Sequence, residues 1–185
     1  IMDSIGKVYI PYFLTRANEN TKKSKMDIIE RYFEMSFLFM FIGLIIIYFS
    51  EEMIKLLTTK EFYPSMYVVP VYVFYYLFSA PGMLASAQRM HVEKLYYEMP
   101  SIALSLSINI VLNILLIPKY GAVGAAVATA IAALFGNALS VYFGLKIFPL
   151  PLKINKLISS YLILIFFTLI IYPTMMMDIN IVIKI

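Results

Sequence analysis

The 185-residue chain contains no cysteine, which excludes disulfides, zinc–thiolate centres and iron–sulfur clusters. Its one histidine, His91, lies between Arg89 and Lys94 with no nucleophile or paired carboxylates beside it. The usual acid–base and nucleophilic constellations are therefore missing, and no cofactor or metal is implied. Charge is scarce too: Asp, Glu, Lys and Arg make up 14% of the residues, against roughly 25% in soluble domains. Apolar side chains take their place, at 62% of the composition with a mean hydropathy of +0.84. A domain of this size must cover itself with polar surface and cannot hide such an excess in one core. Lipid is the solvent this composition calls for. The net charge of +4 comes from basic residues in short loops between apolar runs, so membrane orientation explains it better than nucleic acid does.

A bilayer core about 30 Å thick takes roughly 20 apolar residues in helical form. Five runs fit, at about 32–49, 64–88, 99–118, 121–145 and 157–177. Residues 1–15 read as the end of an earlier span and 179–185 as the start of another, so both ends read as cuts in a longer protein. In lipid each run must satisfy its backbone internally, as an α-helix does. Continuous apolar runs, rather than alternating ones, argue against a β-barrel. The expected fold is all-α: a polytopic transmembrane bundle of about five complete spans with partial spans at both ends.

The loops alternate in charge. Arg16, Lys22, Lys23, Lys25 and Arg31 fill the first, Arg89 and Lys94 the third, and Lys146, Lys153 and Lys156 the fifth. The second holds Lys55 and Lys60, offset by Glu51, Glu52 and Glu61, and the fourth holds only Lys119. Cytoplasmic loops are enriched in Lys and Arg, so the odd loops are expected in the cytoplasm of a multi-pass protein of the cell membrane.

Several motifs refine this frame. Ser24 and Asp27 have capping-box spacing ahead of the first full run. Pro118-Lys119-Tyr120-Gly121 predicts a tight turn between antiparallel spans. After it, Gly121, Ala125, Thr129 and Ala133 recur every four residues, as do Ala128, Ala132, Gly136 and Ser140, with Gly124 beside them. Such a ridge of small residues lets another helix approach closely. Ser101, Ser105, Asn109 and Asn113 form a polar stripe on one face of the preceding span. That face either lines a hydrated transport path or hydrogen-bonds to a neighbouring helix, because an amide left alone in hydrocarbon is costly. Pro70 and the pair Pro81-Gly82 predict kinks or hinges in the second span. Lys7 lies upstream of Pro11 in the first, partial span, and an ionisable residue at membrane depth is a functional candidate.

Residues 108–129, INIVLNILLIPKYGAVGAAVAT, resemble the N-x-x-x-N-x-x-x-I-P-x-x-G-x-x-G-A-A-x-A-T segment of polysaccharide-biosynthesis flippases in the multidrug/oligosaccharidyl-lipid/polysaccharide exporter superfamily. Upstream, a basic loop, an apolar span, a loop with Glu61-Phe62-Tyr63 and a proline-bearing span follow the same order. The chain departs from the family at Thr58-Thr59-Lys60-Glu61, where a glycine is usual. The resemblance implies a fold of about 12 to 14 helices in two bundles around a central cavity, of which this chain is most of the C-terminal bundle. It also implies movement of lipid-linked oligosaccharide or polysaccharide repeat units, such as O-antigen or capsule units of the lipopolysaccharide type, between leaflets by alternating access. Expected partners are the bilayer, that lipid-linked saccharide and the N-terminal half of the protein. Lys7, Ser105, Asn109 and Asn113 are the candidates for the substrate path. A cation-coupled multidrug antiporter of the same superfamily is the alternative, but it needs an acidic residue at membrane depth, and Glu34 and Asp178 are marginal. A membrane-embedded glycan polymerase or transferase is a third reading, disfavoured by the short loops and the lack of an acid–base site.

Overall fold

The structure is a computed structural model that describes the backbone of residues 2–182 and the side chains of residues 6–170. Six α-helices make it up: α1 (Met2–Glu19), α2 (Lys22–Tyr48), α3 (Ser50–Leu57), α4 (Val69–His91), α5 (Met99–Ile147) and α6 (Ile154–Val182). Two 3₁₀ segments, Lys60–Tyr67 and Leu95–Glu98, precede α4 and α5. Among the described residues there is no strand. By length and composition, α2, α4 and the stretch Leu95–Ile147 are able to cross a membrane, whereas the described part of α6, Ile154–Ile170, is apolar but shorter.

α5 is not a rod. A straight helix of its 49 residues would run about 74 Å, more than twice the hydrocarbon core. Gly121 breaks it at φ 54°, ψ −130°, a backbone conformation open to glycine and strained for other residues. The two arms, 99–120 and 122–147, then fold back on each other. A Cβ on Gly124 would lie 2.5 Å from the Leu116 carbonyl oxygen, and one on Gly136 would lie 2.7 Å from Ser105 Cβ. The chain therefore reverses at Pro118–Gly121, and the small-residue ridge is what the first arm rests on.

Helix ends are set by local backbone chemistry, not by where charge begins. Asn20, at φ 47°, closes α1 in the left-handed conformation that asparagine tolerates. Thr21 is the N-cap of α2, and its hydroxyl accepts from the Ser24 amide at 3.0 Å. The Thr21 amide in turn donates to Ser24 Oγ at 3.1 Å. The capping box is real, but Thr21 is its cap and Ser24 its third helical residue, three residues earlier than the Ser24–Asp27 pairing. α2 thus begins ten residues before the apolar run at 32. Pro70 is also displaced: it lies in the first turn of α4, where a missing amide costs nothing, so it starts that helix instead of kinking it. The break expected before residue 179 does not occur, since α6 continues through Val182 and residues 177–182 include neither proline nor glycine. The rest of that expected partial span, residues 183–185, lies outside the described residues.

α4 is the central helix, packing on α1, α2, α5 and both 3₁₀ segments, with its longest contact along α5. Two apolar cores flank it. One gathers Phe13, Ile28, Tyr32, Leu84 and Phe148 at the end carrying the basic loops; the other gathers Phe39, Ile47, Val73, Leu77 and Leu164 further along α2. In lipid such cores are held by dispersion and close fit, not by exclusion of water.

Candidate functional site

The polar stripe lies in the seam of the α5 hairpin. Asn113 Nδ2 donates to Asn109 Oδ1 at 2.9 Å, Asn109 Nδ2 to Thr129 Oγ1 at 3.2 Å, and Thr129 Oγ1 to the Ala125 carbonyl at 2.9 Å. Each donor finds the next acceptor, so the row crosses from one arm to the other and ends on backbone. Ser105 sits against Gly136, and Ser101 is buried beside the same glycine. Of the two uses the sequence allowed, this placement supports helix-to-helix bonding. Asn113 Oδ1 alone in that row is buried without a partner. The first arm turns its other faces outward, with Ile102, Leu106, Ile110, Val111, Ile114 and Leu115 all exposed. Of the packing residues, Gly124, Ala128, Ala132 and Gly136 are buried and Ala125 and Thr129 are half-buried, while Gly121 is exposed at the turn.

Pro81 and Gly82 form a second constellation, between α4, α5 and α6. Proline at 81 has no amide to give to the Leu77 carbonyl, the acceptor one turn back. Tyr161 of α6 fills that vacancy, its hydroxyl donating to the Leu77 carbonyl at 2.6 Å. Gly82 admits Asn137 from α5, whose Oδ1 lies 1.9 Å from where a glycine-82 Cβ would be. Asn137 is fixed by its own bond to the Ala133 carbonyl at 2.8 Å. Pro81, Asn137 and Tyr161 border a groove of about 530 Å³ that Phe78, Leu145, Lys146 and Leu157 also line. The proline at 81 and the tyrosine at 161 should therefore be coupled. Tyr161→Phe is expected to cost about 1 kcal/mol in the native background, a usual value for one hydrogen bond in a membrane bundle. In a Pro81→Ala background, where an amide again reaches Leu77, the same change should cost close to nothing. A double-mutant cycle in unfolding free energy checks this.

The third constellation is the most buried. Arg89 is fully inaccessible, yet it lies in the last turns of α4. Its Nη1 donates to Ser140 Oγ at 2.7 Å and its Nη2 to Glu98 Oε1 at 2.8 Å. One guanidinium thus joins the end of α4, the segment leading into α5 and the second arm of α5. Gln88, also fully buried, donates from Nε2 to the Phe148 carbonyl at 2.7 Å and so fixes the end of α5. Gly144 makes room for it: a Cβ there would lie 2.3 Å from Gln88 Oε1 and 3.1 Å from Ala85 Cα. Arg89 Nε, Gln88 Oε1 and Ser101 Oγ are buried without a partner among the described residues. From sequence Arg89 had been placed with the loop cations. Leu77, Pro81, Ala85 and Gln88–Arg89 share the three-to-four-residue spacing of one helix face, and that spacing was the available signal.

Lys7 stands apart from these clusters, exposed on α1. It precedes Arg16 by nine residues, or about 14 Å of helical rise. His91 is half-buried, its ring edge-on to Phe148 at 4.8 Å and to Phe13 at 6.4 Å. No group of three or more His, Cys, Asp or Glu able to hold a metal ion occurs among the described residues. No family model, no curated protein and no solved structure matches the chain.

Proposed function

We propose that the chain is part of a multi-pass transporter of the cytoplasmic membrane that passes lipid-linked saccharide units between leaflets by alternating access. The all-helical, lipid-compatible architecture supports the membrane part of this reading. On this reading α2, α4, the two arms of α5 and α6 are the five spans, and the alternation of basic loops orients them with Arg16–Arg31, Arg89–Lys94 and Lys146–Lys156 inside. Among the described residues the inward polar groups serve packing: Asn113 bonds to Asn109, Asn109 bonds across the hairpin to Thr129, and Arg89 joins three segments.

The observation that carries the transport reading is Lys7. It is an exposed cation on α1; this reading sets Arg16 at the headgroup border and so Lys7 at membrane depth, where a charge is expensive unless it faces a partner, a hydrated path or an anionic cargo. A diphosphate-linked headgroup is the cargo class that suits it, since an ammonium holds phosphate oxygens as a point charge. Ser105, Asn109 and Asn113 are engaged in the hairpin seam and are assigned to structure, not to sugar.

The test is surface-glycan display in cells whose only copy of the full-length protein carries the change. Lys7→Gln and Lys7→Ala should lower export about 10- to 100-fold at unchanged protein level, the worth of one charge-assisted bond. Lys7→Arg should keep most of it. Full export by the alanine variant would remove Lys7 from the transport path. Restored drug tolerance in an efflux-deficient host, with glycans untouched, would favour an antiporter instead.

A further inference from the structure

α2 and the start of α6 leave a cleft of about 540 Å³ between them. Glu30, Phe33, Glu34 and Phe37 line it from one face of α2, and Lys153 and Lys156 line it from the other side. Its floor is aromatic. Lys156 Nζ lies 4.5 Å from the centroid of the Phe33 ring and 5.6 Å from that of Phe37, so the ammonium rests over the floor while the residue stays exposed. Glu34 has a separate attachment, since its Oε2 accepts from Arg31 Nη1 at 2.9 Å. That leaves two ammonium groups and the Glu30 carboxylate facing the space. Its lysines belong to the last basic loop, which the charge alternation assigns to the cytoplasmic border of the membrane.

We propose that this cleft is a binding site for an aminophospholipid of the phosphatidylethanolamine class. The phosphate lies between Lys153 and Lys156, the primary ammonium donates to Glu30, and an acyl chain descends past the exposed Phe37. The pairing of signs selects this headgroup. A glycerol headgroup satisfies the lysines but brings no cation to Glu30. A choline headgroup brings a cation with no N–H to donate. The site rests on the membrane placement of α2 and α6 alone and stands whatever the transported cargo is.

The test is native mass spectrometry of the intact protein in mild detergent, titrated in turn with dioleoyl-phosphatidylethanolamine, -phosphatidylglycerol and -phosphatidylcholine. Phosphatidylethanolamine should be retained above the other two. Lys153→Ala should lower its occupancy about tenfold, and Lys153→Ala with Lys156→Ala should lower it further, while arginine at both positions keeps it. Glu30→Gln should remove the preference over phosphatidylglycerol without abolishing lipid retention. Lys153→Ala leaves the Lys156 contact with Phe33 intact, so its effect reads binding and not packing. Equal retention of the three lipids overturns the proposal. So does an unchanged Lys153→Ala variant, or displacement of the lipid by millimolar inorganic phosphate, which would assign the lysines to a soluble anion.

Discussion

Glu98→Ala is expected to destabilise the protein by about 3 kcal/mol, considerably more than the larger change Arg89→Met. The asymmetry follows from burial. Arg89 is wholly inaccessible, whereas the Glu98 side chain keeps 42% of its surface exposed. Removing the carboxylate leaves a guanidinium in the interior with Ser140 Oγ as its remaining side-chain partner and with Nε already unpaired. Removing the arginine leaves a carboxylate that rehydrates where it stands and a space that methionine fills with a flexible apolar chain. Replacing a buried ion pair by well-packed apolar groups is often close to neutral, so Arg89→Met should stay within about 1.5 kcal/mol of the native protein. The partial exposure of Glu98 puts the loss at the low end of the range for a broken buried pair. The double variant Arg89→Met/Glu98→Ala should recover most of it. Urea or thermal unfolding in one detergent, followed by circular dichroism, gives all three values. Equal costs for the two single variants would mean that the pair carries no net charge burial.

How far the sequence reached is clearest at the charges. Lysines and arginines bracketed the apolar runs, and the helices do cover those runs, because lipid tolerates charge only at its borders. Charge does not mark where a helix ends. α2 starts at Lys22, at a threonine cap invisible to hydropathy, and α4 starts at Val69 because residues 60–67 wind as 3₁₀ around Pro64. The hairpin turn was legible, since Pro118 and Gly121 are backbone statements that need no tertiary context. Arg89 was misread for the opposite reason: its place depends on Glu98 and Ser140, 9 and 51 residues away, and no local pattern brings them together. The same holds for Tyr161, whose hydroxyl answers a vacancy that Pro81 creates on another helix. Lys7 was singled out by chemistry alone, and the structure adds that its side chain is exposed.

The hairpin makes the second large prediction, and it separates two glycines that look alike in sequence. Gly124→Ala should cost about 2–3 kcal/mol, because the new methyl meets backbone: the Leu116 carbonyl oxygen at 2.5 Å and carbon at 2.7 Å. Those atoms retreat only if the arms separate, and separation stretches the row from Asn113 through Asn109 to Thr129. Gly136→Ala meets mainly a side chain, Ser105 Cβ at 2.7 Å and Oγ at 3.1 Å, with the Ser101 carbonyl oxygen at 3.3 Å. Its cost should be smaller, about 1–2 kcal/mol, and open to compensation. Ser105→Gly removes the obstructing atoms at the usual expense of a helical glycine, about 1 kcal/mol. Added to that background, Gly136→Ala should be almost free, a coupling of at least about 1 kcal/mol. No side-chain deletion does the same for Gly124→Ala, since the obstacle is main chain. Unfolding free energies of these variants distinguish a zipped hairpin from two loosely apposed arms. Additive costs for Gly136→Ala and Ser105→Gly would show that the arms are not in contact at that level, and the seam that accounts for the half-buried asparagines would have to be abandoned.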